Sequence, residues 1–166
     1  TQEVHDTIGK AVFGIDTAES PCGSIEEVIG ALLVERSETV ATAESCTGGQ
    51  ISSALTAVSG ASRYFIEGSC VYANEAKIRD LAVPSALIEQ YGAVSEPVAE
   101  RMASGAAARA GTSFAVSVTG TAGPGGGSKA KPVGTVCFGL HDRSTGETQV
   151  WTRQFVNIGR RFIRER

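Results

Sequence analysis

The segment 43–50, which reads AESCTGGQ, brings a serine, a threonine and two glycines together. It follows a short extended stretch, Thr39 to Thr42, and precedes apolar residues at helical spacing. We therefore expect a strand-to-helix turn, with the helix beginning close to Thr47. Ser45 is then a candidate nucleophile, and the first N–H groups of the helix, which have no internal partner, suit an anion or a developing oxyanion. The alternative is that Ser45 only caps the helix.

A lysine in the segment 72–77, YANEAK, is a candidate general base. If Asn74 caps the helix that follows, Lys77 lies in its first turn. There the helix dipole and burial both lower the pKa of its ammonium from about 10.4. A neutral lysine can take a proton from a serine hydroxyl, and Tyr72 is placed to donate a hydrogen bond toward it. The alternatives are an exposed helix lysine and a tyrosine in the core.

A glycine-rich segment, 117–128, reads SVTGTAGPGGGS, and six glycines lie between residues 120 and 134. Backbone N–H groups in such turns form anion-binding nests, whereas the alternative is a flexible linker. The segment has no Gly-Lys-Ser/Thr ending and no GxGxxG at the head of a first βαβ unit. An ATPase or a dinucleotide dehydrogenase is therefore disfavoured.

Strands and helices alternate along most of the chain, and a hairpin follows. The predicted helices are 24–37, 47–58, 74–81, 84–92, 95–111 and one that begins near residue 159. The predicted strands are 39–42, 63–73, 114–119, 135–140 and 148–156, with 114–119 central and the last two forming an antiparallel hairpin.

This order predicts an α/β fold, a three-layer α/β/α sandwich around a mixed, mainly parallel sheet in a single domain. Residues 1–23 are interpreted as an N-terminal extension and residues 24–166 as the domain. Each of the three chemical segments follows a strand, so we expect all of them at one edge of the sheet, where α/β proteins bind ligands.

The composition is that of an ordinary globular protein, with 42% hydrophobic and 20% charged residues. The net charge of −3 gives no general attraction to nucleic acid or acidic membranes. No apolar run approaches the roughly 20 residues that span a bilayer, and no signal pattern opens the chain, so we expect a cytoplasmic protein. The basic C-terminal end favours a solvated helix with one or two anion-binding arginines over a duplex-binding face.

The four cysteines form no CxxC pair, so a zinc site or a disulfide framework is not expected. The two histidines, His5 and His141, lie far from the three segments in sequence, and a Ser–His–Asp triad has no local support. A Ser/Lys pair is the better nucleophile and base. We expect no metal ion and no cofactor.

These motifs resemble those of the CinA C-terminal domain family of bacterial competence/damage-inducible proteins. The similar segments are 43–49 (AESCTGG), 72–77 (YANEAK), 92–98 (GAVSEPV), 120–127 (GTAGPGGG) and 131–136 (KPVGTV). The resemblance runs from about residue 24 to the end. The best-described activity of this domain is deamidation of nicotinamide mononucleotide, an amidohydrolase reaction of the pyridine nucleotide cycle.

The resemblance implies a role for each matching position. Ser45 is the nucleophile, Lys77 the general base, and Tyr72 helps to keep the lysine unprotonated. Thr119 is implied in oxyanion or substrate contact. An arginine after the last strand is implied in substrate binding, and the spacing to Ile163 and Arg164 favours Arg160 over Arg161. The full set of expected substrate-binding residues is Thr47, Gly48, Gly49, Asn74, Gly120, Gly123 and Arg160.

The expected reaction therefore converts nicotinamide mononucleotide to nicotinate mononucleotide and ammonia. The main alternative is an inactive nucleotide- or phosphate-binding module with a role in competence or DNA damage. A third reading is an amidase for another small amide, and a fourth is an interaction protein that acts through its basic C-terminal helix. The expected partner is a small-molecule substrate rather than nucleic acid or a membrane, and we expect a homo-oligomer.

Overall fold

The computed structural model describes residues 23–165, so the predicted N-terminal extension lies outside the described residues except for Gly23. The helices are α1 (Ile25–Glu35), α2 (Gln50–Thr56), α3 (Asn74–Leu81), α4 (Ser85–Tyr91), α5 (Glu96–Ala110) and α6 (Arg160–Glu165). The strands are β1 (Val40–Glu44), β2 (Phe65–Cys70), β3 (Phe114–Gly120), β4 (Thr135–Asp142) and β5 (Glu147–Gln154). Between residues 23 and 165, none of the helices combines the length and the apolar character needed to cross a bilayer.

The five strands form one mixed sheet in the order β2-β1-β3-β4-β5. Strand β1 pairs in parallel with both β2 and β3, whereas β4 is antiparallel to both β3 and β5. All strands except β4 therefore point the same way. The predicted mixed sheet, the central position of β3 and the C-terminal hairpin are confirmed.

Helices cover both faces of the sheet. Side chains alternate along β1, so each face carries apolar residues against which helices pack. Ala41 and Ala43 pack on one face against apolar residues of α3, α4 and α5. Val40 packs on the other face, where Leu33 of α1 and Leu55 of α2 join the same cluster. Ile163 of α6 packs against Val118 in a third cluster. The α/β/α sandwich is confirmed.

The three chemical segments share one edge of the sheet. Glu44, the last residue of β1, pairs with Cys70, the last residue of β2, and with Val118 near the end of β3. Since these three strands are parallel neighbours, the turns that follow them emerge side by side, as expected for an α/β ligand site.

Two predicted helix starts are wrong. Helix α2 begins at Gln50 rather than close to Thr47, because Gly48 and Gly49 have φ values of +66° and +101°. Only glycine adopts such angles without strain, so the glycine pair forms the turn and precedes the helix. Helix α3 has Ala73 rather than Asn74 as its N-cap, and Asn74 is its first residue.

The capping signals at the other helices are confirmed. At α1, Ser24 and Glu27 exchange backbone-to-side-chain hydrogen bonds in a capping box. Helix α5 follows Ser95 as its N-cap, and Gly111 closes it in the left-handed conformation at φ +68°.

Helix α5 approaches the end of α3 closely at Gly105. A Cβ atom at this position would lie 2.1 Å from the Leu81 carbonyl oxygen. Leu81 ends α3, the helix that also carries Lys77, so this contact sets how closely α3 packs on the domain.

We predict that Gly105→Ala destabilises the domain. Helix propensity alone would favour alanine by about 1 kcal/mol. The clash with backbone atoms that cannot rotate away costs more, so we expect a net loss of about 1–3 kcal/mol in unfolding free energy. Urea denaturation measures this, with Ser104→Ala on the same helix as the control. An unchanged or more stable Gly105→Ala variant would contradict the close approach.

Candidate active site

Ser45 and Lys77 meet at the edge of the sheet. The Ser45 Oγ lies 3.1 Å from Lys77 Nζ, although the two residues are 32 positions apart in the chain. Both are buried, with exposures of 8% for Ser45 and 1% for Lys77. The alternative of an exposed helix lysine is therefore wrong. So is that of a capping serine, because the N-cap of α2 is Gly49.

The surroundings of Lys77 favour its neutral form. Burial lowers the pKa of the Lys77 ammonium, and the nearby Cys46, Cys70 and Glu75 oppose this shift without outweighing it. Nζ also donates to the carbonyl oxygens of Val71, at 2.8 Å, and Tyr72, at 3.1 Å.

These contacts also orient the amine. A neutral lysine amine has two N–H groups and one lone pair. When the two N–H groups point to the two carbonyls, the lone pair faces the Ser45 hydroxyl. The arrangement is therefore that of a base directed at a serine hydroxyl.

The turn that carries Ser45 is held by the residue before it. Glu44 is 1% exposed, and its carboxylate accepts five hydrogen bonds from the turn and the start of α2. Two come from the hydroxyls of Thr47 and Ser52, both at 2.7 Å. Three come from the backbone N–H groups of Gly49 at 3.0 Å, Ile51 at 3.1 Å and Ser52 at 2.7 Å. Burial alone would raise the pKa of Glu44, but these bonds outweigh it and hold the pKa below its usual value.

The anion at the start of α2 is therefore the protein's own carboxylate. This changes the expectation that the first N–H groups of α2 bind a ligand or an oxyanion, because Glu44 accepts from those of Ile51 and Ser52. The sequence motifs predicted no role for Glu44. The available signal was an acidic residue that ends an otherwise uncharged strand just before a run of hydroxyl and glycine residues.

Tyr72 and Arg160 form the outer part of the site. Tyr72 is 56% exposed, so the alternative that this tyrosine belongs to the core is wrong. Its carbonyl contacts Lys77, whereas its hydroxyl accepts a hydrogen bond from Arg160 Nη2 at 2.5 Å. Arg160 Nη1 also donates to the Gly123 carbonyl at 2.9 Å. Arg161 instead is exposed and pairs with Glu165, so the structure brings Arg160 and not Arg161 to this edge.

The other predicted site residues differ in whether their hydrogen-bonding groups are available to a ligand. The Thr119 hydroxyl is buried and donates to the Ala93 carbonyl at 2.9 Å, so its proton is already used. The Thr47 hydroxyl likewise donates to Glu44. The Gly48 N–H donates to the Ser45 carbonyl within the turn. Asn74 is exposed at the start of α3. Gly120 is a packing glycine, since a Cβ there would lie 3.0 Å from Cys46 Sγ.

Cys46 is not a competing nucleophile. Its side chain is buried with Val118 and Ile163 on the face of the sheet opposite Lys77, and burial raises the pKa of the thiol to about 11. Hydrogen bonds from the backbone of Cys46 and Thr47 lower this pKa only in part. Within residues 23–165, no three His, Cys, Asp or Glu side chains are grouped closely enough to hold a metal ion.

A third arginine, to which the sequence motifs assigned no role of its own, also contacts the site. Arg164 of α6 donates from Nε to the Cys46 carbonyl at 3.0 Å and from Nη2 to the Thr47 carbonyl at 2.8 Å. The only signal in the sequence is its spacing of four residues from Arg160, which places both on one side of a helix.

Comparison with known proteins shows the family of this chain. The model of the CinA C-terminal domain matches residues 22–166. This chain belongs to the CinA C-terminal domain family. A CinA-like protein from Chlorobaculum tepidum is 52% identical over 139 residues, which are 83% of this chain and 33% of the relative. A CinA-like protein from Synechocystis sp. is 45% identical over 166 residues, 98% of this chain and 40% of the relative. The chain thus spans about a third to two-fifths of the length of these curated relatives.

Solved structures of the family share the fold. The competence/damage inducible protein CihA from Agrobacterium tumefaciens is 41% identical, with a TM-score of 0.82 over 84% of each chain. A CinA superfamily protein from Escherichia coli is 32% identical, with a TM-score of 0.79 over 95% of this chain and 90% of that one.

We predict that Lys77 gives the domain a distinctive pH dependence of stability. The folded state binds fewer protons than the unfolded state between the lowered pKa of Lys77 and the unfolded value of about 10.4. Wild-type stability should therefore rise with pH in this window relative to a Lys77→Met variant. Thermal unfolding of both proteins from neutral pH to pH 10 measures the difference. Parallel curves would mean that Lys77 keeps its ordinary pKa in the fold.

We also predict that Glu44→Gln destabilises the domain. The amide NH2 cannot accept the hydrogen bonds that one carboxylate oxygen accepts. The loss should be about 1.5–3 kcal/mol at neutral pH. It should shrink as the pH falls from the unfolded-state value of about 4.3 toward the lowered pKa of folded Glu44, because in this window the unfolded wild-type chain gains a proton that the folded carboxylate does not. Urea denaturation checks this, with exposed Glu89→Gln as the control; equal losses would contradict it.

Proposed function

We propose that this domain hydrolyses the carboxamide of nicotinamide mononucleotide to nicotinate mononucleotide and ammonia. The observation that carries the proposal is the 3.1 Å contact between the buried Lys77 amine and the Ser45 hydroxyl. The names of the relatives refer to CinA, competence and damage rather than to a substrate. The substrate therefore rests on the family resemblance, and the reaction type rests on the Ser/Lys geometry.

In the first half of the proposed reaction, Ser45 Oγ attacks the carboxamide carbon while Lys77 takes the hydroxyl proton. The tetrahedral intermediate then collapses: its C–N bond breaks, Lys77 returns the proton to the departing nitrogen, and ammonia leaves. A positioned general base contributes typically about 10²–10⁴-fold to such a step. In the second half, a water molecule attacks the acyl-serine ester, with Lys77 taking its proton and passing it to Ser45 Oγ.

The negative oxygen of the tetrahedral intermediate needs N–H donors. The Ser45 N–H already donates to the Val118 carbonyl, and the Gly48 N–H donates within the turn. The N–H groups of Cys46 and Thr47 remain as candidates, because among the described residues neither donates to a backbone carbonyl outside the helices and strands. One such donor is commonly worth about 3–4 kcal/mol in the transition state.

The outer part of the site suits an anionic substrate. Arg160 uses two guanidinium N–H groups for Gly123 and Tyr72. Its other N–H groups are proposed to bind the phosphate, together with the glycine-rich loop after β3. Asn74 and the exposed ring of Tyr72 lie at the same edge and are proposed to contact the nucleotide. This mechanism requires neutral Lys77, so activity should fall as the pH drops through its lowered pKa.

We predict that activity depends on both members of the pair. Purified wild-type chain should release ammonia from nicotinamide mononucleotide. Ser45→Ala should show only background release, and Lys77→Met should lose about 10²–10⁴-fold in kcat. Ser53→Ala is the matched control, because Ser53 is an exposed serine of α2.

Wild-type rates in either site variant would remove its assigned role. Thermal stabilisation of the wild type by the mononucleotide without ammonia release would instead support a binding module that has lost the activity. Release of ammonia from another small amide, but not from this nucleotide, would keep the Ser/Lys mechanism and change the substrate.

A further inference from the structure

Arg164 contacts the carbonyl groups of the two residues that follow Ser45. Its Nε and Nη2 donate to the carbonyls of Cys46 and Thr47, at 3.0 and 2.8 Å, across 118 and 117 positions of the chain. Within the described residues 23–165, the ion pairs involve other arginines, so the Arg164 guanidinium is directed at backbone rather than at a carboxylate.

The glycine at position 48 leaves room in the turn for this guanidinium. Gly48 has φ +66°, and a Cβ atom there would lie 3.1 Å from Arg164 Nη2. A side chain at position 48 would therefore be strained by its backbone and would also crowd the arginine. The backbone angle and the nearby arginine therefore explain why position 48 is a glycine without reference to any ligand.

Fixing the two carbonyls fixes two N–H groups. In a trans peptide the C=O and the following N–H point in opposite directions. When Arg164 holds the Cys46 carbonyl, the Thr47 N–H points away from Arg164, and the Thr47 carbonyl sets the Gly48 N–H in the same way. The Gly48 N–H closes the turn on the Ser45 carbonyl, so Arg164 also stabilises the turn that presents the Ser45 hydroxyl to Lys77.

We propose that Arg164 is a positioning residue for the Ser45 nucleophile: through its two carbonyl contacts it holds the turn that presents the Ser45 hydroxyl to Lys77 for attack on a bound carbonyl group. The proposal rests on the proposed function in that it takes Ser45 as the nucleophile. It differs from the role of Arg160, which lies one helical turn earlier and faces Tyr72 and Gly123.

The same helix offers a matched control. Arg161 and Arg164 are both arginines of α6, but the Arg161 side chain is 89% exposed and pairs only with Glu165 among the described residues. Arg161→Ala therefore removes an arginine and its charge from the helix without touching the turn.

The experiment has two readouts for wild type, Arg164→Ala and Arg161→Ala. The first is the rate at which a fluorophosphonate labels Ser45, measured by mass spectrometry. In this step the serine oxygen bonds to phosphorus, the P–F bond breaks, fluoride leaves and Lys77 takes the proton. The second is kcat and KM for ammonia release from nicotinamide mononucleotide.

For Arg164→Ala we expect about 10²-fold slower labelling and about 10²-fold lower kcat with little change in KM, since misplacing a reacting group by about 1 Å costs this much. Free guanidinium, well below denaturing concentrations, should restore part of both rates, whereas sodium chloride at equal ionic strength should not. Arg161→Ala should match the wild type.

Rescue separates positioning from folding, because guanidinium cannot reactivate a chain that has unfolded. Wild-type rates in Arg164→Ala would overturn the proposal. So would a loss that tracks a melting temperature below the assay temperature and resists rescue. If wild-type Ser45 labels but no ammonia is released, the proposed substrate fails, and the labelling rates alone decide the role of Arg164. If wild-type Ser45 does not label, both proposals fail.

Discussion

A lysine amine buried against a serine hydroxyl is the constraint around which this edge of the sheet is organised. Isolated burial of an ammonium ion is costly, so a lysine at 1% exposure needs polar partners and a lowered pKa. The backbone supplies the partners, since the carbonyls of Val71 and Tyr72 at the exit from β2 face Nζ. The serine comes from the neighbouring strand β1. Two adjacent parallel strands therefore create the pair, and helix α3 brings the lysine back over the edge.

Strand alternation separates the two titratable groups of the site, the Glu44 carboxylate and the Lys77 amine. Glu44 and Ser45 are consecutive, so their side chains leave the strand on opposite faces. The carboxylate lies under α2, where it accepts five hydrogen bonds, and the serine faces α3 and Lys77. The negative charge that stabilises the turn is thereby kept away from the amine. A direct ion pair with that carboxylate would favour the protonated lysine, and with it a poor base.

Most of the fold followed from patterns that are local in sequence. The capping box at Ser24, the closing Gly111 and the three strand-to-loop motifs predicted the elements and the shared edge. The start of α2 was misplaced because glycine backbone angles are not visible in a sequence. Glu44 and Arg164 were missed for a related reason: a glutamate in a strand and an arginine in a helix are common, and only tertiary contacts distinguish these two. The Ser45–Lys77 contact was expected, whereas the use of the Thr119 and Thr47 hydroxyls was not.

The contacts of α6 have a consequence for biosynthesis. The turn after β1 is synthesised before α6, and its Cys46 and Thr47 carbonyls contact an arginine that lies 118 and 117 residues later in the chain. Residues this far apart can make contact only after the entropic cost of closing the chain between them has been met. A nascent chain that still lacks α6 cannot make these two contacts. With Arg164 in the proposed positioning role, the turn that carries Ser45 should therefore become aligned only after α6 has been synthesised.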